Sequence, residues 1–245
     1  CYFIGFDTES VPDAPWMVQR GLIPGLATIQ LSTTKSSIIF HLSHCDEIPS
    51  ALTEVLYNNE IAKIGVGIDE DMLDLYRNFG KFLEGRCRFD LAGIGSTQRQ
   101  MVGLKRLLLN IVGVSLDKPK RISRSNWSSL PLSEQQLHYS ARDAWAAVAL
   151  MEKLRSKRPD VFGSKGSLFK MLESERTMQE IDERARKRKE VKSAYKQIFF
   201  KVKNFESKNE ADADILKKFE ELDKAMKILR PDGLIIFDPI DLKPL

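Results

Sequence analysis

Two β-prone segments, LATIQLS over residues 26–32 and SIIFHL over 37–42, are separated by only four polar residues, Thr33-Thr34-Lys35-Ser36. So short a link turns the chain back on itself, and the two strands form an antiparallel hairpin. An apolar strand over residues 1–6 precedes them, across a loop over 11–25 that holds three prolines and two glycines. The rhythm then changes. A helix over 50–59, a strand over 61–66, a helix from Asp69 or Glu70 and a short strand ending at 89–91 follow one another. A helix over 104–112 closes at Gly113, and a long one begins near Ser133, with Gln136 completing a capping box, and ends before Pro159. Alternating strands and helices need crossover connections, which make strand neighbours parallel. A hairpin joined to such crossovers predicts a mixed sheet flanked by helices, an α/β domain over residues 1–155.

Composition narrows the function classes. Apolar residues make up 42% and charged residues 29% of the 245, enough for a core and too apolar for a disordered chain. No apolar run reaches membrane-spanning length; residues 107–114 are far too few. The three cysteines, Cys1, Cys45 and Cys87, form no CxxC pair. That excludes a disulfide scaffold and a thiolate zinc ribbon, and fits a reducing, intracellular compartment. The chain begins at Cys1 rather than Met, which reads as a trimmed chain whose targeting segment could lie upstream. Charge is uneven. Residues 1–150 carry 15 Lys+Arg against 16 Asp+Glu, whereas residues 151–245 carry 23 against 18. A near-neutral front and a basic back have different tasks.

Three acidic constellations stand out. Asp7 and Glu9 are two apart where an apolar strand ends, so their carboxylates share one face. Paired carboxylates beside apolar residues repel and lose hydration unless a cation lies between them, and hard divalent cations prefer oxygen ligands. Taken alone, an acid-x-acid pair at a strand end is most often a solvated turn. Tyr139 and Asp143 are four apart on the long helix and share a face, with Ala144, Ala146 and Ala147 allowing close packing. The string KIGVGIDED over 63–71 ends a strand, bends at two glycines and opens a helix with three acids. Helix capping accounts for those acids by itself. A dinucleotide fingerprint fails, because Glu70 stands at the third glycine position and acids repel a pyrophosphate. Gly93 and Gly95 fail likewise, with Gln98 in that place, and no GxxxxGK[ST] loop occurs. His41, His44 and Cys45 have no fourth ligand nearby to make a zinc site.

Taken in order, FDTE (6–9), KIGVGIDED (63–71) and YSARDA (139–144) resemble the three motifs of the DEDD superfamily of 3′–5′ exonucleases, tyrosine subtype. The likeness is greatest to the Werner syndrome-type exonuclease domain and its stand-alone relatives. Ribonuclease D and the proofreading domains of family A polymerases are more distant. LATIQLS, GLKRLLL with LDK, and SNWSSLPLSEQQLHYSA add to the likeness, which covers about residues 1–155. The resemblance implies an RNase H-like fold with a five-stranded mixed sheet, and two divalent cations, Mg²⁺ or Mn²⁺. Asp7, Glu9 and Asp143 would hold the first, Asp7 would bridge to the second, and Asp71 would act on the second through water. Tyr139 would orient the attacking water. The implied substrate is DNA or RNA with a free 3′ end, cut to nucleoside 5′-monophosphates. A catalytically silent nucleic-acid-binding or scaffold module on the same fold is the alternative.

Candidate substrate contacts are Ser10, through a backbone N–H, with Ile29 and Met72 as apolar neighbours of the terminal base. The loop with Lys118, Lys120, Arg121 and Arg124 has four cations in seven residues and no acid. It fits a phosphate grip and a solvated loop alike. Trp127 beside it reads as core. Residues 156–245 form a basic, mainly helical extension. Val191, Tyr195, Ile198, Val202 and Phe205, then Ile215, Phe219, Leu222, Met226 and Leu229, each make one apolar stripe. They predict a two-helix hairpin, a possible surface for a protein partner, followed by a turn at 231–233 and a short strand at 234–237.

Overall fold

The computed structural model describes residues 2–13, 25–45, 47–79, 84–94, 102–172, 176–206 and 213–228. Most of the loop over 11–25, the Gly95 and Gln98 positions, Leu229 and the turn and strand expected over 231–237 lie outside the described residues, as do the side chains of Phe205 and Met226. The chain divides into two compact units, one over Cys1–Glu175 and one over Arg176–Asp232.

In the first unit five strands form one mixed sheet. They are β1 (Phe3–Val11), β2 (Gly25–Ser32), β3 (Ser37–His41), β4 (Ala62–Gly65) and β5 (Arg88–Asp90). Their order is β3-β2-β1-β4-β5. The hairpin pairs antiparallel and β2 pairs antiparallel with β1, while β4 runs parallel to both β1 and β5. β1 is longer than the apolar run alone predicts. Its polar second half stays in the sheet because it pairs with β2, from Asp7 opposite Gln30 to Val11 opposite Gly25, across an irregularity between Glu9 and Ser10. A bulge at that point bends the strand and re-aims the side chains beside it.

Helix α1 (Ser50–Tyr57) precedes β4, and α2 (Ile68–Phe79) follows it. Helix α3 (Leu104–Leu107) widens into a π turn over Leu108–Val112 and stops at Gly113, whose φ of 83° suits glycine. A short helix, α4 (Lys120–Ser123), lies in the segment expected to be loop. The long α5 (Glu134–Lys157) starts at the Ser133–Gln136 capping box. Short helices α6 (Pro159–Phe162) and α7 (Lys165–Leu172) follow it. Phe162 and Leu168 enter the same core as Phe3, Ile64, Phe89, Leu108, Met151 and Leu154. The first compact unit therefore extends past residue 155.

One contact sets the distance between sheet and helix. A Cβ on Gly5 would overlap the carbonyl oxygen of Ala144 and crowd Val148. β1 and α5 approach each other as closely as backbone allows, and only Gly5 opposite a small residue permits it. A second cluster of Val11, Ala27, Ile122, Trp127 and Tyr139 packs beyond that contact. Trp127 is fully buried, with its ring 6.0 Å from that of Tyr139. His41 and His44 lie within hydrogen-bonding distance of the backbone oxygens of Trp127 and Ser128. Both rings are thereby engaged in holding the loop before α5.

The second unit holds α8 (Met178–Glu206) and α9 (Ala213–Ile228). They pack as the expected hairpin, with Tyr195 stacked on Phe219 at 4.9 Å between ring centres. No described helix is long and apolar enough to cross a membrane.

Candidate active site

Strand alternation puts Asp7 and Glu9 on the face that carries Gly5, toward α5. Running back from Ala144, α5 presents Asp143 and then, one turn earlier, Tyr139. One carboxylate oxygen from each of Asp7, Glu9 and Asp143 falls within 4.8 Å of the others. Residues more than a hundred positions apart thus meet because β1 and α5 are in backbone contact. Thr8 points the other way, and its hydroxyl donates to Asp71 Oδ1 at 2.7 Å. Asp71, in the first turn of α2, is held beside Asp7 without joining the group of three. Its neighbour Asp69 is occupied elsewhere, paired with Arg88 Nε at 2.8 Å.

Electrostatics record the crowding. Burial first, then the Asp143 carboxylate, raises Asp7 from 3.8 to about 7, against the pull of Lys118 and a hydrogen bond from the backbone of Thr8. Burial and the charges of Asp7 and Asp143 raise Glu9 to about 9. Burial and Asp7 hold Asp71 well above the usual carboxylate range. Asp143 is also raised by burial, although Lys118 and Tyr139 oppose the shift. Lys118 Nζ sits 2.7 Å from Asp143 Oδ2 and 5.8 Å from the centre of the Tyr139 ring. Even so, both Asp143 oxygens are buried without a well-aligned hydrogen bond. Lys118 is the ammonium paired with this cluster of three carboxyl groups, whose donor capacity exceeds what it can satisfy. Hard oxygen donors brought together in a buried place, with their mutual repulsion, fit a divalent cation. Burial and the adjacent carboxylates push the Tyr139 hydroxyl upward, so it remains a protonated donor.

The other candidates divide. Lys120, Arg121 and Arg124 are exposed on and just after α4, and Arg121 donates to Gln135 Oε1 at 2.8 Å. Lys118, grouped with them by sequence, instead turns inward to the acids. Ser10 is half-buried just past the bulge. Ile29 and Met72 are fully buried and offer no surface to a base. Ile29 pairs with Thr8, and paired residues share a face, so it lies on the side away from Asp7 and Glu9. The sulfur of Met72 packs against Gly85.

Two positioning residues escaped the sequence reading. Thr8 orients Asp71. Asp90, at the end of β5, accepts from the N–H groups of Gly67 at 2.9 Å and Ala92 at 2.8 Å. It thereby fixes the turn that starts α2 and places Asp71. Burial raises its carboxyl to about 6. An acid that closes a buried strand was the available signal for Asp90.

The sequence model of the 3′–5′ exonuclease family matches residues 1–158. The chain belongs to the 3′–5′ exonuclease family. It is 31% identical over 170 residues to a 3′–5′ exonuclease of Arabidopsis thaliana, covering 66% of this chain and 56% of that protein. It is 35% identical over 153 residues to the bifunctional 3′–5′ exonuclease/ATP-dependent helicase WRN of Mus musculus, covering 62% of this chain and 11% of that one. The exonuclease fold is also that of Escherichia coli RNase D, an exoribonuclease involved in structured RNA processing. That match has a TM-score of 0.52 and 26% identity, over 68% of this chain and 42% of RNase D. The chain therefore spans about half the length of the first relative and much less of the second. Fold and family are those of RNase H-like 3′–5′ exonucleases, and Asp7, Glu9 and Asp143 form a group that could hold a metal ion.

Proposed function

We propose that this chain is a metal-dependent 3′–5′ exonuclease that hydrolyses phosphodiester bonds of DNA or RNA and releases nucleoside 5′-monophosphates. The observation that carries this reading is the meeting of Asp7, Glu9 and Asp143 within 4.8 Å, with Asp143 buried. Asp7, Glu9 and Asp143 would hold one cation and Asp7 with Asp71 a second, each Mg²⁺ or Mn²⁺. Such cations, when bound, stabilise the charge that develops on attacking and leaving oxygens and lower the pKa of water.

The chain's own groups do the rest. Tyr139, kept protonated, donates toward Asp143 and is available to orient a water. Lys118 supplies a fixed positive charge whose sign matches a phosphate. The exposed Lys120, Arg121 and Arg124 extend that charge outward and steer a polyanion toward the acids. A reducing, intracellular setting suits the free Cys45 and Cys87.

The test is digestion of matched 3′-labelled and 5′-labelled DNA and RNA strands by EDTA-stripped protein, with and without Mg²⁺ or Mn²⁺. Stepwise release of monophosphates from the 3′ end only with metal, and its loss in Asp7→Ala, is the expected result. Full activity in Asp7→Ala would refute the assignment.

A further inference from the structure

The middle of α8 carries a charge pattern that the acidic cluster does not explain. Residues 184–203 contain nine Lys+Arg and one Glu. Over residues 213–228, by contrast, α9 balances four lysines with four acids. Charge is therefore segregated onto one helix of the hairpin. Lys189, Lys192, Lys196 and Phe200 step by 3, 4 and 4, which aligns them along one face of α8. All four are exposed, Phe200 by 56%. Among the described residues, the ion pairs of this unit include Arg186 with Asp182 but none to these three lysines. The helices close through a neighbouring face, where Tyr195 and Phe199 meet Phe219. The lysine face and Phe200 are left over from that packing.

We infer that this stripe is a nucleic-acid-binding site, separate from the acidic cluster, in which Lys189, Lys192 and Lys196 contact backbone phosphates and Phe200 stacks on a base of a single strand. Lysine ammonium groups act as unpaired point charges that a polyanion can neutralise while releasing its counterions. An exposed ring beside them offers a sequence-tolerant stacking surface. The stripe is about 16 Å long, room for roughly five phosphates at the 3.4 Å per-strand spacing of a duplex. A membrane surface fits less well, because interfacial helices need a broad free apolar face, and α9 occupies the apolar face of α8. The inference deepens the exonuclease reading and rests on it for the identity of the strand as substrate.

The test uses the full chain in EDTA, a fluorescein-labelled twenty-nucleotide oligo(dT) or oligo(U), and anisotropy titrations across a range of NaCl. Substituting all three lysines by Gln should weaken binding at low salt by at least about 10-fold and flatten the log K against log salt slope by about 2, at roughly 0.7 per lost phosphate contact. Substituting all three by Arg should retain binding, and Phe200→Ala should weaken it without changing the slope. With Mg²⁺ present, the Gln variant should raise KM for the twenty-mer and leave hydrolysis of a trinucleotide unchanged. An unchanged affinity and slope in the Gln variant would overturn the inference. So would a loss confined to phosphatidylserine vesicles, or to a protein ligand. Because binding is read without metal, a chain that binds through these lysines yet hydrolyses nothing would refute the exonuclease reading and leave the site standing.

Discussion

Asp7→Asn should make the metal-free protein more stable while it removes activity. Two unit charges 4.8 Å apart repel by about 3.5 kcal/mol at an effective dielectric constant of about 20, and Asp7 has two acidic neighbours at or within that spacing. Lys118, 2.7 Å from Asp143, offsets part of this. The rise of Asp7 from 3.8 to about 7 gives an upper bound of about 4 kcal/mol, at 1.36 kcal/mol per pH unit. Because Asp7 retains some solvent contact, about 2 kcal/mol is the working figure. That corresponds to roughly 4–8 °C in melting temperature for a protein of this size. The sign follows from linkage. Below about pH 4 Asp7 is protonated in both folded and unfolded chains, and the variant gains nothing. Between about pH 4 and 7 the unfolded chain ionises first, so the wild type loses stability as pH rises. Above about pH 7 the penalty is complete and constant. Melting curves in EDTA at pH 4, 5.5, 7 and 8.5 measure the gap. Saturating Mg²⁺ should close or reverse it by stabilising only the wild type. If Asp7→Asn were no more stable than wild type at pH 8.5 in EDTA, or if the gap failed to grow between pH 4 and 7, the carboxylates would not be in conflict.

Three further outcomes test neighbouring parts of the argument. Lys118→Met removes the counter-charge of Asp143 and should cost about 1–3 kcal/mol in EDTA at pH 8, read by urea unfolding, with recovery when Mg²⁺ or Mn²⁺ is added. Tyr139→Phe keeps the ring against Trp127 but loses the hydroxyl, so kcat should fall on the order of 100-fold while the melting temperature changes little. Gly5→Val drives a side chain into the Ala144 carbonyl and should destabilise by about 3 kcal/mol or more, seen as a lowered melting temperature or insoluble protein.

What the sequence makes legible is whatever local chemistry decides. The Thr33–Ser36 link, the Ser133–Gln136 box and the Gly113 stop each depend on a few adjacent residues, and each is where the sequence predicts. The acids are legible because carboxylates at spacings of two and four have few inexpensive placements. Elements that depend on distant partners are less so. β1 continues through Asp7, Thr8 and Glu9 only because β2 lies alongside to receive its hydrogen bonds. Lys118 reads as one cation among four in a loop, yet the packing of Ile122 and Trp127 beside Tyr139 brings that loop over α5 and turns Lys118 alone inward. Ile29 and Met72 were misplaced for a related reason. Sequence proximity to Asp71, or register opposite the motif strand, does not say which face a side chain takes, and both residues take the buried one.

The same backbone contact accounts for both the strength and the strain of the site. Gly5 against Ala144 removes the space that would let the acids relax apart. Were β1 and α5 separated by ordinary side chains, Asp143 would stand farther from Asp7, its repulsion would weaken, and its buried oxygens would reach water. The close approach instead holds three carboxyl groups whose ionisation is disfavoured until a compact positive charge offsets it. Lys118 does so in part, but it is a single charge on a flexible stem and leaves both Asp143 oxygens without an aligned bond. A cation that several oxygens can share satisfies the geometry as one ammonium cannot. On the metal-dependent reading, the repulsion built into the folded chain would favour a multivalent cation, and any substitution that relieves it should stabilise the protein and disable the site together.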